Sequence, residues 1–358
     1  MSASAILSLL PDWPRASGKP AAFATIRSCP EDFQVDETLN FEFDGEGEHL
    51  LINVRKRNQN TADVAQKLAR HANVKVRDIG YAGLKDRNAI TTQWFSVWLP
   101  GKPDPDWSAV ENDDLQILKS QRHRRKLQRG ALQGNRFVII LRDIEFAGQA
   151  NQTMLEQQLT VIQKQGVPNY FGEQRFGRGG KNLTDVTAMF NGRRVKARHQ
   201  RSLYLSSARS FLFNEVLAAR VVAGNWLHAL SGEVLMLAGS RSFFVADELN
   251  EEIEQRLARG DVLPSGPLWG RGQLASQQAA RLLEQNILAE QTVYREGLEE
   301  AGLKQERRAL RLAVSDFQWQ WMREGESLQL CFELPAGCYA TSVLRELIHS
   351  RNPKLISD

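Results

Sequence analysis

The spacing of hydrophobic residues changes period along the chain, and that change limits the fold more than any other feature. The first part carries short, compact runs: HLLINV at 49–54, leading into Arg55, Lys56 and Arg57; ITTQWFSVWL at 90–99; and NRFVIILRDI at 135–144. Runs of this length, rich in β-branched and aromatic side chains, suit a pleated, half-buried surface and predict strands. One helix stands among them. Asn60 and Thr61 can cap it, Asp63 lies in its first turn, and Val64 and Leu68 fall one turn apart. The middle of the chain switches to a helical period. Residues 152–165 set Met154, Leu155, Leu159 and Ile162 on one side and stop at Gly166 and Pro168. Residues 207–222 turn Leu212, Val216 and Ala219 inward and stop at Gly224. Segments 249–259 and 275–287 are also helical in pattern, and 226–246 and 262–270 read as strand and loop. The end returns to a strand, SLQLCFEL at 327–334, then a turn, PAGCYA at 335–340. A helix follows from Ser342, with Val343, Leu344, Leu347 and Ile348 inside. A strand-rich start and a strand-plus-helix finish around a helix-rich middle are compatible with an insertion.

Length and composition exclude several classes. The chain has 358 residues, enough for two domains or one large one. It is 42% hydrophobic and 25% charged, an ordinary globular balance that excludes a disordered, collagen-like or disulfide-scaffold protein. Its three cysteines, Cys29, Cys331 and Cys338, show no CxxC spacing and imply a reducing compartment. The six histidines never stand at zinc-ligand spacing, so no metal site is expected. No stretch approaches the roughly 18 apolar residues a membrane span needs. The N-terminal MSASAILSLLPDWPR lacks the basic start of a signal peptide. A cytoplasmic protein without a membrane partner is expected.

The charge is unevenly placed. The net charge is only +4, yet 119–129 holds six Lys or Arg and no acid, and 193–201 holds five more. Arg175, Arg178 and Lys181 surround a glycine-rich turn at 176–181, whereas acids gather at 247–254. Segregation of this kind suits an anionic polymer, whose phosphates release counterions when Lys and Arg neutralise them. A solvated face is the ordinary reading of any single run.

Most short motifs carry no chemistry. GGKN at 179–182 fails as a P-loop, because Arg175 stands where glycine is needed and Asn182 replaces the magnesium-binding hydroxyl. The informative segment is IGYAGLKDRNAITTQWFSV at 79–97. There Lys85, Asp86 and Arg87 place one carboxylate between two cations at a turn just before a strand. Neighbouring cations favour a carboxylate's ionised form, and an ionised aspartate can act as nucleophile or base. By itself the triplet is equally a solvent-exposed turn with unexceptional ion pairs.

GYAGLKDRNAITTQ at 80–93 closely resembles the signature of the TruD family of tRNA pseudouridine synthases. CPEDFQVDE at 29–37, HRRKLQRGALQGNRF at 123–137, PNYFGEQRFG at 168–177, SSARSFLFNE at 206–215 and LPAGCYATSVLREL at 334–347 resemble its other motifs, in family order. The resemblance implies an enzyme that isomerises uridine at position 13 of tRNA to pseudouridine, with no cofactor, no metal and no obligatory protein partner. Asp86 falls on the family's catalytic aspartate. The target uridine would leave the stack to reach it. Phe33, Asn135 and Tyr339 fall on substrate-binding positions, the last an aromatic position where the family carries Phe. Arg27 and Phe137 fall on positions supporting the pocket. Lys85, Arg87, Arg124, Arg125, Lys126, Arg178 and Lys181 are candidate RNA backbone contacts. The implied fold is α+β: a pseudouridine-synthase domain with a mainly antiparallel sheet flanked by helices (1–160 and 310–358), split by an inserted α/β domain (161–309). The competing reading is a non-catalytic tRNA-binding or folding protein. Without the resemblance, Phe33, Phe137 and Tyr339 read as core aromatics, Asn135 as a turn residue and Arg27 as a surface cation.

Overall fold

The computed structural model describes residues 10–322 and 326–351. In chain order their strands and helices are β1 (Ala22–Thr25), β2 (Phe33–Leu39), β3 (His49–Arg57), α1 (Thr61–His71), β4 (Ile79–Tyr81), β5 (Ile90–Trp98), β6 (Leu115–His123), β7 (Leu132–Phe146), α2 (Gln152–Gln165), β8 (Val167–Pro168), α3 (Lys181–Phe190), α4 (Arg198–Val222), β9 (Glu233–Leu237), β10 (Phe243–Ala246), α5 (Glu251–Arg259), β11 (Val262–Leu268), α6 (Gln278–Leu288), α7 (Thr292–Glu300), β12 (Glu306–Ala309), β13 (Arg311–Leu312), β14 (Ser315–Met322), β15 (Ser327–Pro335), α8 (Ala340–Leu347) and β16 (Ile348–Arg351). The fold is α+β. The chain forms two compact units. A sheet unit takes Pro20–Gln163, Val314–Ala340 and Leu347–Asp358, and a helix-rich unit takes Lys164–Ala313 with Met1–Lys19 and Thr341–Glu346.

The sheet unit holds one large sheet with the order β14-β15-β7-β2-β5-β3-β6, to which β1, β4 and β16 attach. Its pairs are antiparallel except β2 with β5 and β1 with β16. The parallel β2–β5 pair requires a crossover, and β3, α1 and β4 supply it. Side chains alternate between faces. On one face α1 lays Val64, Ala65, Leu68 and Ala69 against Leu50, Ile52, Val54, Phe95 and Val97. The other face of the same strands buries Leu51 and Trp94 against Ala82 and Leu127. Strands covered on both sides read as the near-continuous apolar runs seen at 49–54 and 90–99.

A second stripe runs across β2, β7 and β15. Phe33, Val35 and Glu37 pair with Ile139, Phe137 and Asn135, and these pair with Leu330, Phe332 and Leu334. The stripe is apolar at one end and turns polar at Glu37 and Asn135. Lys85 meets the polar end, and Arg27 lies over Phe33 at the other.

Helix α2 departs from its expected face. Leu155, Leu159 and Ile162 are fully buried, but Met154 is largely exposed, because adjacent residues point about 100° apart on a helix. Asn60 occupies the N-cap of α1 without capping it; its amide donates instead to Asp63 Oδ2 at 2.8 Å. The expected helix at 207–222 begins earlier, at Arg198, so part of the basic run at 193–201 forms its first turn. The C-terminal helix ends at Leu347, and buried Ile348 opens β16 instead. In the helix-rich unit, α4 buries Leu212, Phe213, Val216 and Leu217 among Phe176, Val186, Leu288, Leu298 and Leu310. A four-stranded antiparallel sheet of order β10-β9-β11-β12 completes that unit.

Candidate active site

Asp86 lies in the connection from β4 to β5, and residues distant in sequence converge on it from within the sheet unit. Its side chain remains 53% exposed while its Oδ2 accepts a hydrogen bond from Arg27 Nη2 at 3.1 Å. The Arg27 guanidinium lies over the Phe33 ring, 4.1 Å from its centroid. Arg27 Nε is buried against that ring without a hydrogen-bond partner. Phe33 meets Phe137 edge-on at 6.2 Å, and Phe137 stacks on Phe332 at 5.3 Å. Three rings from adjacent strands thus brace the cation that holds the carboxylate. Cation–π contact contributes about 0.5–2 kcal/mol.

The backbone of the connection is fixed from beneath. Lys56 continues the buried face of Leu50, Ile52 and Val54 by strand alternation, so its ammonium is enclosed. It donates to the carbonyls of Asp86 at 3.1 Å and Gln59 at 2.7 Å. Burial pushes the Lys56 ammonium down to about 8, against the pull of the Asp86 charge and with the help of Lys85. One residue earlier, the Lys85 N–H donates to Thr61 Oγ1 at 3.0 Å. Thr61 Oγ1 donates to Gln93 Oε1 at 3.0 Å, and Gln93 Nε2 donates to the Gly83 carbonyl at 2.5 Å. The connection is therefore held at Gly83, Lys85 and Asp86, while Leu84, Arg87 and Asn88 face solvent. A carboxylate held open on a pinned backbone has little reorganisation left to make when a substrate arrives.

Lys85 itself points inward. Its Nζ lies 2.8 Å from Glu37 Oε2 and donates to Asn135 Oδ1 at 2.5 Å. The side chains of Lys85 and Glu37 are only 7% and 0% exposed. This corrects the expectation that Lys85 contacts RNA phosphates: the buried Glu37 carboxylate needs a counter-charge and takes it. The other basic candidates differ among themselves. Arg87 and Arg125 are exposed. Arg124 is exposed and paired with Glu46, and Lys126 donates to the Arg77 carbonyl at 2.5 Å. Arg178 and Lys181 are exposed and belong to the helix-rich unit.

The structure brings Arg27, Phe33, Asp86 and Phe137 together by direct contact, and Lys85 ties Asn135 to the same connection. Phe33 and Phe137 are buried, Phe33 beneath the Arg27 guanidinium. Half-buried Tyr339 stands in the turn just before α8, five residues past Leu334, which pairs with Asn135. Sequence reading missed Glu37, Lys56, Thr61 and Gln93. A signal was present for two of them: Glu37 and Lys56 each extend a period-2 apolar face with a charge. Among the described residues no three His, Cys, Asp or Glu side chains gather as metal ligands. No helix among them is long and apolar enough to cross a membrane. A cavity of about 540 Å³ in the helix-rich unit, bordered by His228, Leu257, Pro264 and Arg311, includes none of the candidate residues.

Comparison with known proteins decides the family. The model for tRNA pseudouridine synthase D (TruD) matches residues 15–190 and 187–347. A protein of Nitrosococcus oceani named tRNA pseudouridine synthase D is 52% identical over 334 residues, covering 93% of this chain and 92% of that one. The chain belongs to the TruD family of tRNA pseudouridine synthases. A Methylococcus capsulatus relative of the same name is 51% identical, with 94% of each chain covered. A crystal structure described as a putative TruD from Methanosarcina mazei shares the fold, with a TM-score of 0.72, 24% identity and 97% of each chain covered. The TruD-like segments 29–37, 80–93 and 123–137 supply Phe33, Glu37, Lys85, Asp86, Asn135 and Phe137, and 334–347 supplies Tyr339.

Proposed function

We propose that this chain isomerises uridine 13 of tRNA, with Asp86 as the catalytic carboxylate acting on a uridine turned out of the RNA stack. Pseudouridine formation in tRNA is the family's activity; the position and the residue roles are this reading's own. The observation that carries it is the geometry of Asp86. Its carboxylate is open to solvent, held by one guanidinium, and its backbone is clamped by the enclosed Lys56. A purely structural ion pair would not need the carboxylate left accessible on so firmly held a connection.

The reaction conserves atoms. The bond from N1 to the ribose breaks, the uracil turns, carbon 5 joins the ribose, and carbon 5 gives up a proton as N1 gains one. No oxidant or reductant enters this balance. Asp86 attacks the ribose or the uracil, or assists departure of the base. Phe33, Asn135 and Tyr339 bind the uridine, with Arg27 and Phe137 as support. Phe137 has no group to accept the carbon-5 proton, so another base or water takes it. Arg87, Arg124, Arg125, Lys126, Arg178 and Lys181 contact the RNA backbone, which positions the substrate, while RNA shape and an unstacked base supply selectivity. Residues 161–309 form the family's inserted domain in this reading.

Tritium release from tRNA labelled at uracil carbon 5 tests the proposal. Wild type should release tritium and Asp86→Ala should release none while staying folded and binding tRNA. Tritium release by Asp86→Ala at the wild-type rate would remove Asp86 from the mechanism. No release by wild type on a full pool of unmodified tRNAs would leave the non-catalytic tRNA-binding reading in its place.

A further inference from the structure

The environment of Asn135 fixes which half of its amide faces outward. An ammonium has only hydrogens to offer, so the edge of Asn135 that meets Lys85 Nζ at 2.5 Å must be the carbonyl oxygen. No hydrogen bond engages Asn135 Nδ2 among the described residues, and the residue is only half-buried. Lys85 in turn cannot leave, because its Nζ lies 2.8 Å from the enclosed Glu37 carboxylate. Glu37 is held by the sheet: it pairs with Asn135 across β2 and β7, and its Oε1 accepts from the Trp94 N–H at 3.4 Å.

We infer that Glu37 and Lys85 are positioning residues that lock the Asn135 amide with its two hydrogens toward the uridine. The locked amide reads a carbonyl of the base and cannot turn to accept from the ring N3–H. This rests on the proposed function, since it takes Asn135 as a substrate-binding residue. It adds a specificity element with two consequences. An amide that only donates favours a base edge that only accepts, and it disfavours an amino group at the same place, because two donors would then face each other without water. Because Lys85 and Asp86 are consecutive, the same segment also sets the reading amide and the carboxylate in one frame.

The test separates a lock from a phosphate contact and from a general structural role. Lys85→Met and Glu37→Gln are compared with wild type by single-turnover rate on unmodified tRNA, by tRNA affinity across a salt series, and by thermal melting. The rate should fall roughly ten- to hundredfold, the scale expected when a positioned group shifts by about 1 Å. Affinity and its salt slope should stay unchanged, whereas losing a phosphate contact would lower the slope by about 1. The double variant, which leaves no uncompensated buried charge, should melt above either single variant and remain as slow as Lys85→Met. It keeps the test valid if a single variant fails to fold. The decisive readout is a substrate with sulfur replacing one uracil carbonyl oxygen, at position 2 or position 4. Wild type should be slowed by one of the two, and that penalty should shrink in the double variant. The inference is overturned if neither sulfur substitution slows wild type, if the penalty persists undiminished in the double variant, or if Lys85→Met changes the salt slope and leaves the rate intact. Loss of tritium release by wild type itself would instead defeat the proposed function.

Discussion

Arg27 occupies the left-handed region at φ 61, which costs a residue with a Cβ roughly 1 kcal/mol or more. Glycine would relieve that strain. Arg27→Gly should therefore melt above Arg27→Ala, while both lose activity alike, because both remove the group that holds Asp86. Chemical denaturation alongside single-turnover rates checks this. Lys56 gives a pH signature. Its folded value of about 8 lies below the ordinary 10.5, so the unfolded chain binds more protons between those values. Wild type should then gain stability relative to Lys56→Met as pH rises from about 8 to 10.5, by at most about 3 kcal/mol, with no further change outside that window. Denaturation midpoints of the two proteins over that range measure it. At this scale the sequence was informative about which residues meet, as with Arg27 and Asp86. It was not where a residue's task depends on which face is covered. Lys85 and Arg87 flank the same aspartate and read alike, yet only Lys85 has a buried carboxylate within reach. Nothing local to residue 85 announces Glu37, 48 residues earlier.

At the level of elements, period alone located the central strands and most helices, because each is covered on a definite side. It failed where coverage is irregular. Before Ser207 the apolar residues of α4 are the consecutive Leu203, Tyr204 and Leu205 behind a basic turn, a run without helical spacing, so the helix reads shorter than it is. Helix α7 went unread, its buried face reduced to Gly297 and Leu298. Glycines in the site's framework carry a constraint of closeness. A Cβ on Gly80 would lie 2.3 Å from the Leu127 carbonyl, where backbone cannot yield without moving β4. Gly80→Ala should lower stability by about 1–3 kcal/mol, the usual range for overpacking, and should reduce turnover further by displacing the connection that carries Asp86. Comparing its melting shift with that of Gly83→Ala is the control, since nothing lies within 4 Å of a Cβ there.

For the whole molecule, the small net charge conceals its distribution. Salt dependence of tRNA affinity should be steep, as it follows the number of neutralised phosphates rather than the net charge. Arg178→Gln with Lys181→Gln should reduce the slope of log affinity against log salt by about 1 to 2 and raise KM, with saturating turnover close to wild type. A salt series on both proteins decides it. The helix-rich middle stood out in the sequence, but Met1–Lys19 and Thr341–Glu346 also cluster with it. That grouping could not be read from the chain, because it is set by long-range bonds such as Arg345 to the carbonyls of Trp13 and Pro14.

The order of strands also has a consequence for biosynthesis. β15 pairs along β7 from Gly134 to Leu141, yet the chain between Phe146 and Ser327 must be made first. At typical rates of about 5–20 residues per second, the ribosome needs on the order of 10–40 s to supply it. Until then one margin of β7 has no neighbour, with its amides and carbonyls bare beside Asn135 and Phe137. The nascent sheet therefore stays open beside Asn135 and Phe137 until β15 emerges, and a bare edge of this kind is a template for pairing with other chains.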